Sequence, residues 1–363
     1  MQLLPVLDNV LYNVQRQGKI SFYMTAHGEE ATIVGSAAAL ANDDEVMGQY
    51  RELGVLLWRG FSLDNVMAQC LGNEEDTSGK GRQMPVHFGS PEHHFHTISS
   101  PLATQIPQAA GVGRCIGRRQ VVSLSIRIAM DDAYAKNRPR ANPLSMPDFH
   151  AGMMLASTIP SPTLFIARNN GFAISTPSSE QYNGDGIASR GPGYGIDTVR
   201  VDGNDVLAVM SAVREARRRC LEQGRAVLVE AMSYRVGHHS TSDDSFAYRP
   251  RAEVEDRKRI DNPIVRFRLF LEARGWWDAD AEAELKASQK AAVMKAFKRS
   301  ETLKLWELRH LFTDVYGGEE PWNLKEQRQE LTGLLKKYGQ IYEPWRKELA
   351  KFKDAGEDLM GKQ

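Results

Sequence analysis

The order of apolar and polar residues predicts a helix near the start of the chain and an alternation of strand and helix in its middle. Apolar residues recur every three or four positions over residues 7–16, which is the period of an amphipathic helix. Residues 28–40 are rich in small side chains and predict a closely packed helix. Two continuous apolar runs, at 163–167 and 227–234, predict buried strands, and the helical period over 205–223 places a helix between them. This alternation predicts an α/β fold.

Other parts of the chain depart from this alternation. Residues 70–100 are rich in glycine and histidine and lack periodicity, which predicts a long loop of the kind that usually carries function. A small-residue helix is predicted over 101–113. The remainder, 251–363, is charged and has apolar residues three and four positions apart, as in surface helices. We therefore predict an α/β domain over residues 1–250 and a helical C-terminal extension that contacts partners.

Composition narrows the class of protein. The 363 residues include 46 Lys and Arg and 46 Asp and Glu, so the net charge is zero and a nucleic-acid or anionic-membrane partner is not expected. Apolar residues make up 42%, as in folded chains, and no apolar run is long enough to span a membrane. The three widely spaced cysteines predict neither a disulfide framework nor a Cys-x-x-Cys metal site, which favours a reducing compartment. The first residues lack the features of a signal peptide or transit peptide.

Polar side chains follow both predicted strands, where open α/β sheets bind ligands. Arg168 follows the first strand, and His238 and His239 follow the second. Arg51 and Arg168 can together hold an anion, because a guanidinium matches the geometry of a phosphate. On spacing alone, the alternative of a pair of ordinary surface arginines is favoured. The histidine pair is a candidate acid, base or phosphate donor, and the alternative is a capped turn.

Two further patterns are weaker. His93, His94 and His96 lie within four residues, but no second ligand cluster accompanies them, so we predict that they pack a loop rather than bind zinc. The glycine clusters at 111–117 and 191–195 lack the strand-then-helix context of a dinucleotide-binding fingerprint.

Several segments together carry a family resemblance. They are GKISFYMTAHGEEATIVGSAAAL, GQYRELGVLLWRG, GKGRQMPVHFG, HTISSPLATQIPQA, RNNGFAISTPSSEQYNGDGIASRGPGYG and YRVGHHSTSDDSFAYR. These segments resemble the alpha subunits of branched-chain 2-oxoacid dehydrogenases, from about residue 8 to residue 280 and more weakly to the C-terminus. The loop GHHSTSDDS favours the branched-chain enzyme over the pyruvate enzyme.

The resemblance implies a doubly wound, mostly parallel sheet that binds thiamin diphosphate. It implies an α2β2 heterotetramer with the cofactor at the α–β interface, where the beta subunit supplies the carboxylate that activates the aminopyrimidine. This chain alone is therefore expected to be an incomplete enzyme. The implied reaction is oxidative decarboxylation of branched-chain 2-oxo acids, with acyl transfer to a lipoyl group of the acyltransferase core. The implied location is the mitochondrial matrix.

The family's motifs imply roles for individual residues. The residues expected to contact thiamin diphosphate are Gln49, Tyr50, Arg51, Ser100, Leu102, Arg168 and the catalytic His239. Asn170 and the backbone carbonyl of Phe172 are expected to bind Mg²⁺. The residues that match a structural K⁺ loop are Ser99, Pro101, Thr104 and Gln105. Ser240 matches a serine that a dedicated kinase phosphorylates and a phosphatase restores.

The cofactor motif of the family is not where the resemblance places it. That motif is a strand ending in Gly-Asp/Glu-Gly, whose acid is a Mg²⁺ ligand. Counting back from Asn170 reaches residues 140–142, which hold no acid and no glycine. Counting forward from Gln105 reaches Asp131, at the end of a predicted strand over 121–130. Asp131 is therefore the candidate replacement ligand.

Residues 114–147 as a whole resemble nothing in the family, and the one literal Gly-Asp-Gly, at 184–186, belongs to a different loop. Three alternatives follow: a working subunit, a paralogue that pairs with the beta subunit but holds no cofactor, and a gene model with a shifted frame or mis-spliced exon over 114–147. The alpha subunit of the pyruvate enzyme is a further alternative.

Overall fold

A computed structural model describes residues 1–117, 122–127, 147–313, 316–343 and 349 of the chain. The strands within this part are β1 (Glu45–Met47), β2 (Phe95–His96), β3 (Val122–Arg127), β4 (Thr163–Asn169), β5 (Phe172–Ala173), β6 (Thr176–Pro177), β7 (Asp197–Asp202) and β8 (Val227–Met232). Six of them form one sheet in the order β2-β1-β3-β4-β8-β7, and every neighbouring pair in that sheet is parallel. The predicted α/β fold with a mostly parallel sheet is confirmed.

Helices cover both faces of this sheet. Those described are α1 (Leu3–Arg16), α2 (Glu30–Ala39), α3 (Leu53–Trp58), α4 (Leu63–Leu71), α5 (Gln105–Ile116), α6 (Pro147–Thr158), α7 (Ser178–Gln181), α8 (Val206–Gln223), α9 (Arg251–Ile260), α10 (Pro263–Glu272), α11 (Ala279–Thr302) and α12 (Trp322–Lys337). No helix in the described part of the chain is both long and apolar enough to cross a membrane.

The side chains of β4 show why both faces must be covered. All seven residues of β4 are buried. Because successive side chains of a strand point to opposite faces, Leu164 and Ile166 enter the core formed with α8, whereas Phe165 and Ala167 enter the core formed with α5 and α6. A parallel strand buried on both faces is a continuous apolar run, which is the pattern that predicted it.

The predicted helix over 205–223 is confirmed together with its ends. The side chain of Asp205 caps α8 by accepting hydrogen bonds from the backbone amides of Leu207 and Ala208, at 2.9 and 3.1 Å. Helix α2 packs closely on α8 at Gly35, where an added Cβ would lie 2.8 Å from the carbonyl oxygen of Val206. The small residues of the predicted 28–40 helix therefore serve this contact.

The region after residue 251 is largely helical, as predicted. Its longest helix, α11, packs on α1 and α4 and places Val293, Ala296 and Phe297 in the same apolar core as Leu7 and Leu11. Residues 70–100 are mostly irregular, apart from the end of α4, a short 3₁₀ turn and the two residues of β2.

Glu30, the first residue of α2, predicts how the stability of the protein changes with pH. Burial raises the pKa of Glu30 from 4.5 to about 8, and its carboxyl contacts the backbone amide of Gly28 at 2.9 Å. A group with a raised pKa binds a proton in the folded state while the unfolded state is ionised, so stability falls as the pH rises from 4.5 to about 8. We expect Glu30→Gln to flatten this decline in thermal melting of the assembled protein. Parallel slopes for the variant and the wild type would contradict the assignment.

Candidate functional site

The carboxyl ends of the parallel strands meet at one edge of the sheet, and a pocket lies there. Strand β1 leads to residues 49–51, β4 ends at Arg168 and Asn169, and β8 leads to the loop that contains His239. The pocket has a volume of about 320 Å³. Its lining residues are Phe22, Met24, Gln49, Tyr50, Arg51, Met84, His87, Ser100, Leu102, Arg168, Ile174 and His239. It thus brings together all seven residues expected to contact thiamin diphosphate.

Two arginines dominate the charge of this pocket. Arg51 is 2% exposed and Arg168 is 0% exposed, so the alternative of two ordinary surface arginines is wrong. Arg168 forms ion pairs with Glu29, at 3.3 Å, and with Glu52. Arg51 lies 3.8 Å from Glu29 and donates hydrogen bonds to the backbone carbonyls of Thr25 and His239. Burial lowers the pKa of Arg51 to about 10, so it remains a cation at neutral pH.

The hydrogen bonding of the two arginines indicates whether an anionic ligand fits the pocket. Among the described residues, the Nε atoms of Arg168 and Arg51 are buried without a hydrogen-bond partner, whereas the other two guanidinium nitrogens of Arg168 face the carboxylates of Glu29 and Glu52. Buried donors are normally satisfied, and an unsatisfied one is unfavourable. A phosphate group supplies several acceptor oxygens and negative charge. The pocket therefore fits the diphosphate end of a cofactor.

The proposed Mg²⁺ ligands lie at the end of β4, beside the arginines. The Asn170 Nδ2 atom donates to Glu29 Oε1 at 3.1 Å, and the Asn170 Oδ1 atom accepts from the backbone amide of Phe172 at 3.2 Å. Asn170 Oδ1 and the Phe172 carbonyl are oxygen donors of the kind that Mg²⁺ accepts. The described part of the chain holds no group of three or more His, Cys, Asp or Glu side chains that could hold a metal ion. Asp131 and residues 140–142 lie outside the described residues.

The segment that resembles a K⁺ loop is compact. Thr104 Oγ1 lies 3.2 Å from both Ser99 Oγ and the Pro101 carbonyl oxygen. The side-chain Nε2 of Gln105 donates to the backbone carbonyl of Thr97 at 3.1 Å, and Ala103 has a positive φ of 64°. These contacts gather hydroxyl and carbonyl oxygens in one turn at the start of α5.

The loop after β8 is connected to the pocket and folded on itself. The carbonyl of His239 accepts from Arg51, and its amide donates to Asp243 Oδ2 at 2.8 Å. The Tyr248 hydroxyl donates to the same carboxylate oxygen at 2.7 Å, and burial raises the pKa of Tyr248 to about 12. Ser240 is half-buried in this loop, immediately after the pocket residue His239.

Two residues of the site were missed by sequence reasoning. Glu29 is fully buried and contacts both arginines and Asn170. His87 lines the pocket, and its Nε2 lies 2.6 Å from Ser100 Oγ. Because His87 Nδ1 faces two backbone carbonyls at 3.1 and 3.2 Å, it carries the proton, and Nε2 accepts from Ser100. Both residues lie in motifs that carry the family resemblance.

The other candidates have structural partners. His94 and His96 each contact a different carboxylate oxygen of Glu45, at 2.9 and 3.0 Å, in agreement with a loop-packing role. In the literal Gly-Asp-Gly, the Asp185 side chain is 82% exposed and pairs with Arg200. That motif lies away from the pocket lining, as the sequence predicted.

Comparison with known proteins identifies similar chains. The family model described as "Dehydrogenase E1 component" matches residues 1–308. The chain is 52% identical, over 342 residues, to the mitochondrial 2-oxoisovalerate dehydrogenase subunit alpha of Macaca fascicularis. This alignment covers 94% of this chain and 74% of that protein. The corresponding protein of Mus musculus is 50% identical, covering 94% and 75%. That of Caenorhabditis elegans is 49% identical, covering 94% and 77%.

Proposed function

The chain belongs to the dehydrogenase E1 component family, as its resemblance predicted, and from that membership we propose how its pocket is used. The chain acts as the alpha subunit of a branched-chain 2-oxoacid dehydrogenase. With a beta subunit it forms an α2β2 assembly that decarboxylates branched-chain 2-oxo acids and transfers the acyl group to a lipoyl group of an acyltransferase core. Its relatives are named mitochondrial, and we propose the mitochondrial matrix as its location.

The family depends on thiamin diphosphate, and the pocket is where this chain would hold its diphosphate end. Arg51 and Arg168 would bind the phosphate oxygens, with Gln49, Tyr50, Ser100 and Leu102 completing the wall. When bound, thiamin diphosphate supplies the carbanion that attacks the 2-oxo carbon and the electron sink that makes CO₂ loss feasible. Because both arginines are buried, where the effective dielectric constant is low, their attraction to the anion would be stronger than at an exposed surface.

Two ions complete the proposed site. Mg²⁺ would be bound by Asn170, by the carbonyl of Phe172 and by Asp131 in place of the acid of the family's motif. K⁺ would be bound at the turn formed by Ser99, Pro101, Thr104 and Gln105. Because neither position counted for the family's motif holds its glycines, we expect cofactor affinity about a hundredfold below that of a subunit with the motif, or about 3 kcal/mol.

His239 is the proposed catalytic residue of this chain. It lines the pocket, and its imidazole can both accept and donate a proton there. The hydrogen bond from Arg51 to its backbone carbonyl ties the position of His239 to the anion-binding arginines. Ser240, next in the chain, is the proposed site for a regulatory kinase and phosphatase.

The observation that carries this proposal is the convergence of two buried arginines and five further motif residues on one pocket. The test is reconstitution with a beta subunit, followed by measurement of CO₂ release from 2-oxoisovalerate and from pyruvate. We expect release that requires thiamin diphosphate and favours 2-oxoisovalerate. A preference for pyruvate would assign the chain to the pyruvate enzyme. An α2β2 assembly without cofactor-dependent release would identify a non-catalytic subunit.

A further inference from the structure

Glu29 connects three residues of the proposed site that come from distant parts of the chain. Glu29 lies immediately before α2, and its carboxylate is fully buried. One oxygen, Oε1, accepts from Asn170 Nδ2 at 3.1 Å. The other, Oε2, lies 3.3 Å from Arg168 and 3.8 Å from Arg51. We propose that Glu29 is a positioning residue, which fixes the amide of Asn170 so that its oxygen, and not its nitrogen, is presented to a divalent cation. This inference rests on the proposed function, because the cation is assigned through Asn170.

The orientation follows from the chemistry of the two groups. An ionised carboxylate can only accept hydrogen bonds, whereas the Asn170 amide has one donating and one accepting end. Glu29 therefore selects the nitrogen end, which turns Oδ1 away from it. Oδ1 accepts one hydrogen bond, from the Phe172 amide, and a carbonyl oxygen has two lone pairs. The second lone pair is available to a metal ion.

Arg168 and Arg51 determine how the neutral side chain of Glu29→Gln would be oriented. The side-chain amide introduced by Glu29→Gln would have to turn its oxygen toward Arg168 and Arg51, because its NH₂ group would repel two guanidinium groups. That NH₂ group would then face Asn170 and require the amide of Asn170 to flip. Glu29→Gln should thus present the nitrogen of Asn170 to the metal ion, although no metal ligand has been changed.

The experiment measures the Mg²⁺ dependence of binding to the α2β2 assembly by calorimetry. Outer-shell substitutions typically weaken metal affinity by about 10–100-fold. We expect Glu29→Gln to reduce the Mg²⁺-dependent gain in thiamin diphosphate affinity by at least about tenfold. Binding of inorganic pyrophosphate without metal should be undiminished, because both arginines keep their charge. A general loss of structure at the site would weaken the binding of both thiamin diphosphate and pyrophosphate.

Rescue gives the most specific readout. A carboxylate in place of the Asn170 amide has no donating end, so it can accept from the amide introduced by Glu29→Gln and still offer an oxygen to the metal. The double variant Glu29→Gln/Asn170→Asp should therefore regain the Mg²⁺ dependence. If Glu29→Gln does not assemble, Glu29→Asp is measured instead. It keeps the charge but is one methylene shorter, and it should lose Mg²⁺ dependence while still binding pyrophosphate.

Glu30→Gln is the matched control, because Glu30 is the adjacent buried carboxyl and contacts the backbone amide of Gly28 instead of the site residues. We expect it to bind thiamin diphosphate with unchanged Mg²⁺ dependence. Unchanged Mg²⁺ dependence in Glu29→Gln, or an equal loss in Glu30→Gln, would overturn the role of Glu29. Failure of the wild-type assembly to bind thiamin diphosphate would instead overturn the proposed function, and this inference with it.

Discussion

Arg168→Ala is expected to weaken thiamin diphosphate binding to the α2β2 assembly by at least about a hundredfold, equivalent to about 3 kcal/mol. Two charge-assisted hydrogen bonds from one guanidinium account for an effect of this size. Arg168 is a fully buried pocket residue, and its Nε atom has no hydrogen-bond partner among the described residues. Calorimetric titration measures the affinity directly, and Arg168→Lys should fall between the wild type and Arg168→Ala.

The same substitution should destabilise the protein, because it leaves Glu29 and Glu52 beside an empty space. Removing one partner of a buried ion pair costs about 3–5 kcal/mol. Arg217→Ala separates the two effects, since Arg217 pairs with the buried Asp44 and does not line the pocket. We expect Arg217→Ala to lower the melting temperature without changing cofactor affinity. Equal losses of affinity in both variants would contradict a specific role for Arg168.

Ser240→Glu is expected to reduce acyl transfer to a lipoyl domain by at least about tenfold, or about 1.4 kcal/mol. The new carboxylate would adjoin Asp243, which holds the amide of His239 and the hydroxyl of Tyr248. Two negative charges there repel each other, and both stand near an anionic cofactor, so the loop should lose its present arrangement.

Ser242→Glu is the control for that experiment, because Ser242 is exposed and lies two residues further along the same loop. We expect it to retain most of the acyl-transfer rate. A Ser240→Glu variant as active as Ser242→Glu would show that charge at Ser240 does not control the site.

The pattern of apolar residues alone predicted the strands whose two faces are both buried. The runs that became β4 and β8 are continuous and apolar because helices cover both faces of the sheet. Strand β7 was missed because it pairs on one side only and is largely exposed, so its sequence, DTVRVD, lacks the continuous apolar run from which β4 and β8 were predicted. Strands β1 and β2 are too short, at three and two residues, to show a period.

The site was predicted by motif and not by spacing. Spacing alone favoured surface positions for Arg51 and Arg168, because they lie 117 positions apart and the burial of a charge can be predicted only when its partners are known. Glu29 was missed for the same reason. An acid at the start of a helix is an ordinary exposed residue, and its three partners lie at positions 51, 168 and 170.

The central claim is that the pocket between Arg51 and Arg168 binds a diphosphate. It is tested most directly by titrating the α2β2 assembly with thiamin diphosphate and with thiamin, each with and without Mg²⁺. We predict saturable, Mg²⁺-dependent binding of thiamin diphosphate and no detectable binding of thiamin at the same concentrations. Equal binding of the two compounds, or binding of neither, would contradict the account.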